Sequence, residues 1–383
     1  MNETTSWQEV PISRLLLFQN GINASSDKYG KGIKYISVTD ILNNNYITYE
    51  CIKGLVDIDH KTLNNYSVTY GDILFQRSSE VQEDIGQSNV YLDKDNVATF
   101  GGFVIRGKKI GDYNPLFFNY MLKSPSSRRK IIRLGAGAQH YNIGQENLRA
   151  LSFYFPTEQE QEKIGELFRI LDERIATQIK IINNLESQKK YIINNLFKDG
   201  TVVKLNKLIH EINTKNKNNS INEVLSVNNK LGFIKQSDQF EDRNVASEDL
   251  SNYKIVSINN YAFNPARINV GSIARLKNYD CGIISPMYLC FKINTGKITH
   301  SYFDAFLLSS SFKKQLNKKL EGSVRQCITM DGFKNIDIIL PSLKTQMKIS
   351  VIINKLDRKL MIEKNYLINL KKQKQYLLSN MFV

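Results

Sequence analysis

Short clusters of arginine, lysine, glutamine and asparagine are the groups in this chain whose residue types could do specific chemistry. The side chains of these clusters are Gln76, Arg77, Ser78, Arg128, Arg129, Lys130, Arg133, Gln139, His140, Tyr141, Asn142, Arg267, Asn269, Lys313, Lys314, Lys318, Arg325 and Gln326. Arginine can bind a guanine edge, and asparagine or glutamine an adenine edge, through two hydrogen bonds at once. Lysine and arginine on a helix suit phosphate contacts, which add affinity without sequence selectivity. The clusters are therefore candidates for nucleic-acid contacts, although a run of charges is also typical of an ordinary solvated surface.

The overall charge points to the same kind of partner. Lys and Arg number 52 and Asp and Glu 37, which gives a formal net charge of +15 at pH 7. An excess of this size indicates a polyanion, with nucleic acid as the first candidate and an acidic membrane surface as the second. No apolar run approaches the ~20 residues that cross a bilayer, and the first residues lack the pattern of a secretory signal. We therefore expect double-stranded DNA as a partner, no membrane association and a cytoplasmic location.

Motifs of catalytic and metal sites are missing from the sequence. There is no GxxxxGKS or GxxxxGKT phosphate loop and no HExxH zinc helix. The four cysteines have no CxxC spacing and the four histidines are scattered singly, so neither a zinc site nor a disulfide framework is indicated. The segment from Asn264 to Arg267 is faintly similar to the Asn-Pro-Pro-aromatic motif of adenine methyltransferases, but the second proline and the aromatic residue are absent. We expect no catalytic residue, no metal and no cofactor in this chain.

The chain contains an internal repeat. An offset of 185 residues aligns Pro156 with Pro341, Gln161 with Gln346, Leu171–Asp172 with Leu356–Asp357, Asn184–Leu185 with Asn369–Leu370, and Phe197 with Phe382. The same offset places the basic run Arg128–Arg129 on Lys313–Lys314, whereas the segments further upstream diverge. Each repeat is therefore a variable domain followed by a less variable helix.

Hydrophobic residues in the less variable segments recur at alternating steps of three and four. This spacing predicts a long helix at 156–199 and a second at 341–383, each with the apolar seam of a coiled coil. Thr157 with Glu160 forms a capping-box pattern at the start of the first helix, and Gly200 is a plausible stop.

Both seams are interrupted by polar residues at the same two places. These helix-pairing candidates are Gln178 and Lys189 in the first helix, and Glu363 and Lys374 in the second. If the helices pair antiparallel, Lys189 is expected opposite Glu363, and Gln178 opposite Lys374, whereas a parallel pair would bring the two lysines together. The alternative is that these side chains reach water at the edge of an ordinary helix bundle.

The two variable regions have the patterns of mixed α and β structure. Short β-prone runs at 33–38, 97–105, 255–258 and 283–293 are separated by Gly, Asn and Asp turns, and amphipathic helices are expected at 116–134 and 302–320. The predicted fold is α/β (mixed α+β), with two tandem globular domains at 1–155 and 200–340, each followed by its long helix. The two helices are expected to form an antiparallel coiled coil with pseudo-two-fold symmetry.

The sequence resembles the specificity subunits of type I restriction-modification enzymes over essentially its whole length. The resemblance rests on Trp7, on Gly71–Ser78, which looks like the family's Gly-Asp-Ile-Leu segment, and on Glu160–Ile164 with Leu171–Asp172 and Leu196–Phe197. The second copy departs from the pattern because Thr345 stands at the place of Glu160. The match is strong in the helices and weak within the variable domains.

The resemblance implies a division of labour among subunits. The variable domains would be target-recognition domains, each reading one half of a bipartite, asymmetric DNA sequence, and the helices would fix their spacing. Two methyltransferase subunits would carry S-adenosylmethionine, and restriction subunits, whose presence is left open, would carry the ATP- and Mg²⁺-dependent chemistry. Two other interpretations stay open at this point: a stand-alone methyltransferase or nuclease with an unrecognised site, and a coiled-coil adaptor that does not read DNA.

Overall fold

The computed structural model describes residues 7–137, 140–239, 249–322 and 326–382. The described residues form two compact units, Met1–Lys180 with Asn365–Val383, and Ile181–Lys364. Each unit therefore contains one variable region and parts of both long helices. Two of the predicted DNA contacts, Gln139 and Arg325, lie outside the described residues.

The first unit contains short strands and helices followed by the start of a long helix. Its strands are β1 (Gln8–Pro11), β2 (Leu16–Asn20), β3 (Tyr29–Ile36), β4 (Gly54–Val56), β5 (Ile73–Gln76), β6 (Ser78–Ser79), β7 (Ser88–Val90), β8 (Thr99–Phe100), β9 (Val104–Lys109), β10 (Tyr141–Asn142) and β11 (Ser152–Phe155). Its helices are α1 (Val38–Asn43), α2 (His60–Asn65), α3 (Pro115–Lys123), α4 (Pro125–Ile132), α5 (Gln145–Arg149) and the first part of α6 (Glu158–Asn195).

The second unit has a similar order of strands, with fewer short helices among its described residues. Its strands are β12 (Thr201–Lys204), β13 (Ile209–Ile212), β14 (Val224–Asn228), β15 (Gly232–Lys235), β16 (Lys254–Ser257), β17 (Tyr261–Phe263), β18 (Ile273–Arg275), β19 (Cys281–Ile284), β20 (Leu289–Ile293) and β21 (Asp337–Leu340). Its helices are α7 (Gln236–Gln239), α8 (His300–Leu308), α9 (Ser310–Lys318), α10 (Met330–Lys334) and the first part of α11 (Leu343–Asn380).

The sheets of the two units match one another. The order β2-β9-β5-β7 in the first unit corresponds to β13-β20-β17-β18 in the second, and the pair β1-β11 to β12-β21. The three-stranded sheet β4-β3-β8 corresponds to β15-β14-β19 of the second unit, where β16 adds a fourth strand. All residues of β5 and of β17 are buried, as expected for strands at the centre of a sheet that is covered on both faces. The prediction of mixed α and β structure with an internal repeat is confirmed.

The predicted amphipathic helices at 116–134 and 302–320 are each two helices. Ser124 ends α3 in an extended conformation, and its hydroxyl accepts a hydrogen bond from the Ser127 amide at 3.3 Å, which caps α4. Ser309 does the same between α8 and α9, through the Phe312 amide at 3.2 Å. Periodicity missed these breaks because the apolar spacing continues through them, whereas the serine cap signals a new helix start. Likewise, the runs 97–105 and 283–293 each contain two strands.

Aromatic side chains attach the ends of the long helices to the two cores. In the first unit, Phe382 packs against Trp7 and Phe117 and stacks on Phe168 with ring centroids 5.7 Å apart. In the second unit, Phe197 packs in the same way against Tyr302, at 5.0 Å. The aligned pair Phe197 and Phe382 thus marks equivalent contacts in the two units.

A buried glutamine fixes the start of each long helix. The Gln161 side chain accepts from the Asn114 amide at 2.9 Å and donates to the Pro156 carbonyl at 3.0 Å. Gln346 repeats both bonds at the same offset, with the Thr299 amide at 2.9 Å and the Pro341 carbonyl at 3.0 Å. These bonds explain why glutamine recurs at this place, since a buried amide without such partners would be costly. The Thr157 hydroxyl accepts from the Glu160 amide at 3.4 Å, so the predicted cap of α6 is confirmed.

Within each unit the two long helices run antiparallel. In the first unit Lys374 donates to Asp172 at 2.5 Å, and in the second Lys189 forms an ion pair with Asp357. Lys189 is therefore paired with Asp357 rather than with the predicted Glu363, and Lys374 with Asp172 rather than with the predicted Gln178. In the described part of the chain, no helix is both long and apolar enough to cross a membrane.

Candidate nucleic-acid interface

An isolated antiparallel bridge recurs at the same place in the two units. It joins Ala136 to Asn142 in the first unit and Glu321 to Cys327 in the second, and the two described segments that each bridge joins are called the hairpin. The residue that follows the first residue of each bridge is a glycine with a positive φ, 143° at Gly137 and 105° at Gly322. A Cβ on Gly137 would lie 2.0 Å from the His140 carbonyl oxygen, so the first hairpin requires glycine there.

In each unit this hairpin lies against the segment that follows the buried central strand. In the first unit, the Ile143 amide donates to the Arg77 carbonyl at 3.0 Å, and the Ser78 hydroxyl to Asn142 Oδ1 at 2.5 Å. In the second unit, the Ile328 amide donates to the Pro265 carbonyl at 3.3 Å. The fold therefore brings together candidate groups that are far apart in the sequence. Ser78 and Asn142, for example, are 64 residues apart.

Several candidates of the first unit are held by internal contacts. Gln76 is buried and its amide donates to the Ser78 carbonyl at 2.8 Å, which does not suit a contact with a base edge. The Arg77 guanidinium lies 3.4 Å from the Gly102 carbonyl. The Asn142 amide donates to the His140 carbonyl at 3.2 Å, whereas the side chain of His140 is exposed and that of Tyr141 half-buried.

The basic residues of α4 differ from one another in the structure. Arg128 donates to the carbonyls of Glu83 and Ile85, at 2.9 and 2.7 Å, and burial lowers the pKa of its guanidinium to about 10. Arg128 thus closes the 3-10 helix Gln82–Asp84 rather than facing solvent, contrary to its expected role at a phosphate. The neighbouring Arg129 is exposed and keeps that role as a prediction.

Lys130 and Arg133 continue the basic cluster after Arg129. The Lys130 ammonium lies 3.3 Å from the Ser152 carbonyl and 5.4 Å from the centroid of the Phe153 ring, so it covers an aromatic surface. Arg133 is exposed at the end of α4. In this cluster Arg129 and Arg133 are therefore the exposed cations, and their contacts with DNA stay predictions.

The corresponding residues of the second unit are more accessible. Lys313, Lys314 and Lys318 are all exposed on α9. Arg267 and Asn269 are exposed in the turn around the 3-10 helix Ile268–Val270, and Gln326 is exposed beside the hairpin bridge. The second unit therefore exposes several cationic and amide side chains, and their DNA contacts stay predictions.

The structure adds three residues that the sequence analysis did not single out. Asn229, Lys230 and Leu231 form the exposed tip between β14 and β15, and they line a cleft of about 610 Å³ together with Asn269 and Lys313. The tip lies within the run Asn228–Gly232, whose asparagines and glycine are a turn signature between two β-prone segments. That signature could have located the hairpin, although not its position beside Asn269.

The carboxylate in this cleft is already paired. Asp304 accepts from Arg275 at 2.9 Å and from the Tyr261 hydroxyl at 2.9 Å, and it lies 3.0 Å from Lys277. Burial also lowers the pKa of the nearby His300 imidazole. This histidine is therefore neutral at pH 7 and adds no positive charge beside Asp304. The surroundings of the cleft remain cationic. Among the described residues, no group of three or more His, Cys, Asp or Glu side chains could hold a metal ion.

Comparison with known proteins identifies one family. The sequence model described as "Type I restriction modification DNA specificity domain" matches residues 6–187 and 257–372. A putative type I restriction enzyme MjaX specificity subunit from Methanocaldococcus jannaschii is 25% identical over 200 residues, which cover 51% of this chain and 46% of that protein. The aligned part thus spans less than half of the curated relative.

Solved structures show the same fold over the whole chain. The S subunit of a type I restriction-modification system from M. genitalium matches with a TM-score of 0.61 at 15% identity, covering 100% of this chain and 98% of that one. The HsdS subunit from Thermoanaerobacter tengcongensis matches with a TM-score of 0.51 at 12% identity, covering 98% and 96%. At these identities the likeness concerns the fold alone.

Proposed function

Because the chain belongs to the family of type I restriction modification DNA specificity domains, we propose that it is the subunit that selects the DNA sequence for a methylating complex. Each unit supplies one target-recognition domain, and the two domains read the two halves of a bipartite, asymmetric target. The long helices set the spacing of these domains and dock two methyltransferase subunits.

The recurrence of one hairpin with different side chains in the two units carries this proposal. The bridges Ala136–Asn142 and Glu321–Cys327 are both antiparallel and lie at equivalent positions, but the exposed residues beside them are His140 and Asn142 in one unit and Gln326 in the other. The same scaffold with different exposed groups suits two domains that bind related surfaces of DNA and prefer different bases.

The chemical steps are assigned to other subunits. Methyl transfer from S-adenosylmethionine to adenine belongs to the methyltransferase subunits, and ATP- and Mg²⁺-dependent cleavage to restriction subunits where these are present. The pairing of Asp304 with Arg275 and Lys277 supports this assignment, because it leaves the cleft carboxylate committed to structure. The isolated chain is therefore expected not to bind S-adenosylmethionine in a calorimetric titration.

The proposal is tested by mapping methylated adenines in the genome of the source organism. Cells with the intact gene should contain a bipartite motif that is missing from cells in which the gene carries an early stop codon. Restoring the gene on a plasmid should restore the same motif. Identical methylation in all three strains would refute the proposed function.

A further inference from the structure

The tip of the β14–β15 hairpin has a fixed local shape. The two strands pair antiparallel up to Asn228 and Gly232, and Gly232 has a φ of 73°. Asn228 Oδ1 accepts from the amides of Lys230 and Leu231, at 2.8 and 3.1 Å. The side chain of Asn228 therefore holds the turn, and the three residues between the strands project from it in a defined arrangement.

A second turn lies directly beside this tip. A Cβ placed on Gly271, which follows the 3-10 helix Ile268–Val270, would lie 3.5 Å from the Asn229 Cβ. The Ser272 hydroxyl donates to the Val227 carbonyl at 3.0 Å, which fastens the second turn to β14. The tip and the turn therefore form one surface of the second unit.

Two asparagines on this surface are available for an external partner. Asn229 and Asn269 are exposed, and within the described residues neither side-chain amide is engaged in a hydrogen bond. By contrast, Asn228 caps the hairpin, and Asn264 Oδ1 accepts from the Ala266 amide at 3.0 Å. Neighbouring asparagines are thus divided between those that build the turns and those that project from them.

Two large aliphatic side chains accompany the free amides. Leu231 is 69% exposed and Val270 is 55% exposed, and both line the same cleft. Lys230 and Lys313 flank them, while the cleft carboxylate of Asp304 is held by Arg275. Aliphatic and amide groups within a cationic border match the major groove, where adenine offers N6 and N7 and thymine its methyl group.

The shape of the surface favours DNA over a protein partner. The major groove is about 12 Å wide and admits a two-stranded β-ribbon such as the end of this hairpin. A stable protein interface commonly covers about 800 Å² on each partner, which three projecting residues and a short turn do not supply. The lysines that line the cleft would also suit contacts with the phosphates that border the groove.

We propose that the hairpin tip and the adjoining turn of the second unit read an A·T base pair in the major groove, with Asn229 or Asn269 on adenine and Leu231 or Val270 on the thymine methyl group. This inference rests on the proposed function, since it names part of the half-site that the second unit selects. In the first unit the segment after the central strand is built differently, as the short strand β6 paired with β10, so the assignment concerns the second half-site alone.

The first test maps methylated adenines in cells that carry Asn229→Ala, Asn269→Ala or Leu231→Ala in place of the natural gene. At least one asparagine variant is expected to relax one A·T position by roughly 5- to 150-fold, the range of a bidentate base contact. The other half of the motif should be unchanged, which provides an internal control. Val202→Ala removes another exposed aliphatic side chain of the same unit, on β12, and is expected to leave the motif intact.

The second test measures binding of the intact complex to duplexes in which single thymines are replaced by deoxyuracil. Loss of the contacted methyl group should weaken binding by about fourfold at one thymine of the second half-site. The complex that contains Leu231→Ala or Val270→Ala should bind the thymine and deoxyuracil duplexes equally well. The scan of the natural complex needs no variant, so a folding defect cannot obscure it.

The possible results separate the two claims. A bipartite motif whose second half contains no thymine sensitive to deoxyuracil would overturn the inference and leave the proposed function standing. An unchanged motif in all three variants would do the same. A variant that melts like the natural chain but weakens all sequences equally would assign the tip to general affinity, and so would also overturn it. If no methylation depends on this chain, the proposed function fails and the inference fails with it.

Discussion

The ammonium of Lys374 lies 2.5 Å from the carboxylate of Asp172, and an offset of 185 residues converts this pair into Lys189 and Asp357, which also form an ion pair. The two pairs are placed differently with respect to water. Asp172 is buried and also accepts from the Tyr120 hydroxyl at 2.8 Å, whereas the side chain of Asp357 is 50% exposed. The offset puts Ala305 at the place of Tyr120, which removes that hydroxyl from the second unit.

We predict that Lys374→Met destabilises the protein far more than Lys189→Met. The first change leaves Asp172 buried without its cation, and loss of one partner of a buried pair costs about 3–5 kcal/mol. The second leaves Asp357 in contact with water, where an ion pair contributes at most about 1 kcal/mol. Urea unfolding curves of the two variants compare these free energies of unfolding directly. Equal losses would mean that burial of Asp172 does not set the strength of its pair.

The register of the helices in the second unit is tested by reversing charges. Lys189→Glu and Asp357→Lys should each lower the free energy of unfolding, and the double variant should recover part of the loss, with a coupling of about 0.5–1 kcal/mol. The matched control combines Lys189→Glu with Glu363→Lys, the pair expected from the sequence, for which the two effects should add. Coupling in the control and additivity in the test pair would restore the register that the structure replaces.

The sequence predicted the helices well and their partners poorly. Periodicity located α6 and α11 to within a few residues because a buried apolar stripe constrains every third or fourth position over many turns. The two seam lysines do not pair with the seam residues expected opposite them, since Lys189 and Lys374 form ion pairs with Asp357 and Asp172. Long side chains can reach partners on neighbouring turns, and the periodicity of apolar residues does not indicate which partner a lysine contacts.

The sequence indicated which residue types form the candidate site, but not which of these residues reach the surface. Residue type suggested Arg128 and Gln76 as ligands for DNA, yet both are held by carbonyl oxygens of the fold. Burial of a polar side chain depends on tertiary neighbours, so adjacent arginines such as Arg128 and Arg129 cannot be separated by type. The tip Asn229–Leu231 was missed for the related reason that its position beside Asn269 comes from packing of distant strands.

Lys123 should make the stability of the first unit depend on pH. Burial is the main cause that lowers the pKa of Lys123 to about 7, and the nearby Lys374 lowers it further. Between this value and the ordinary lysine pKa of about 10.4, the unfolded chain binds more protons than the folded one, so stability rises with pH in that window. Below about pH 7 Lys123 is protonated in both the folded and the unfolded chain. The full cost of burying its charge is then present, and stability no longer changes with pH through this group.

The difference between the natural chain and Lys123→Met isolates this contribution from other titrating groups. The variant is expected to be the more stable one at pH 7, and its advantage should shrink as pH rises towards 10. Thermal melting at several pH values provides the measurement. Arg129→Met, which removes an exposed cation nearby in the chain, is the control and should show no such trend. A constant difference across the range would show that Lys123 stays charged in the folded protein.

Exposed basic residues of α4 and α9 are expected to contribute DNA affinity that does not depend on sequence. Replacing Arg129, Lys313 or Lys314 with glutamine should reduce the slope of log affinity against log salt concentration by up to about 0.9 for each phosphate contact that is lost. Arg128→Gln should instead lower the melting temperature, because its guanidinium is bonded inside the fold. Binding titrations at four salt concentrations test this division. A changed base preference at an unchanged slope would assign the exposed residues to base contacts.

The central claim is that each unit selects its own half of the DNA target, and exchange of one recognition domain tests it most directly. Residues 200–340 are replaced by the corresponding domain of another family member, and methylated adenines are mapped in cells that express the chimera. The account predicts that one half of the methylated motif changes to the donor's half-site while the other half and the bipartite form persist. Replacement of both halves, or an unchanged motif, would contradict it.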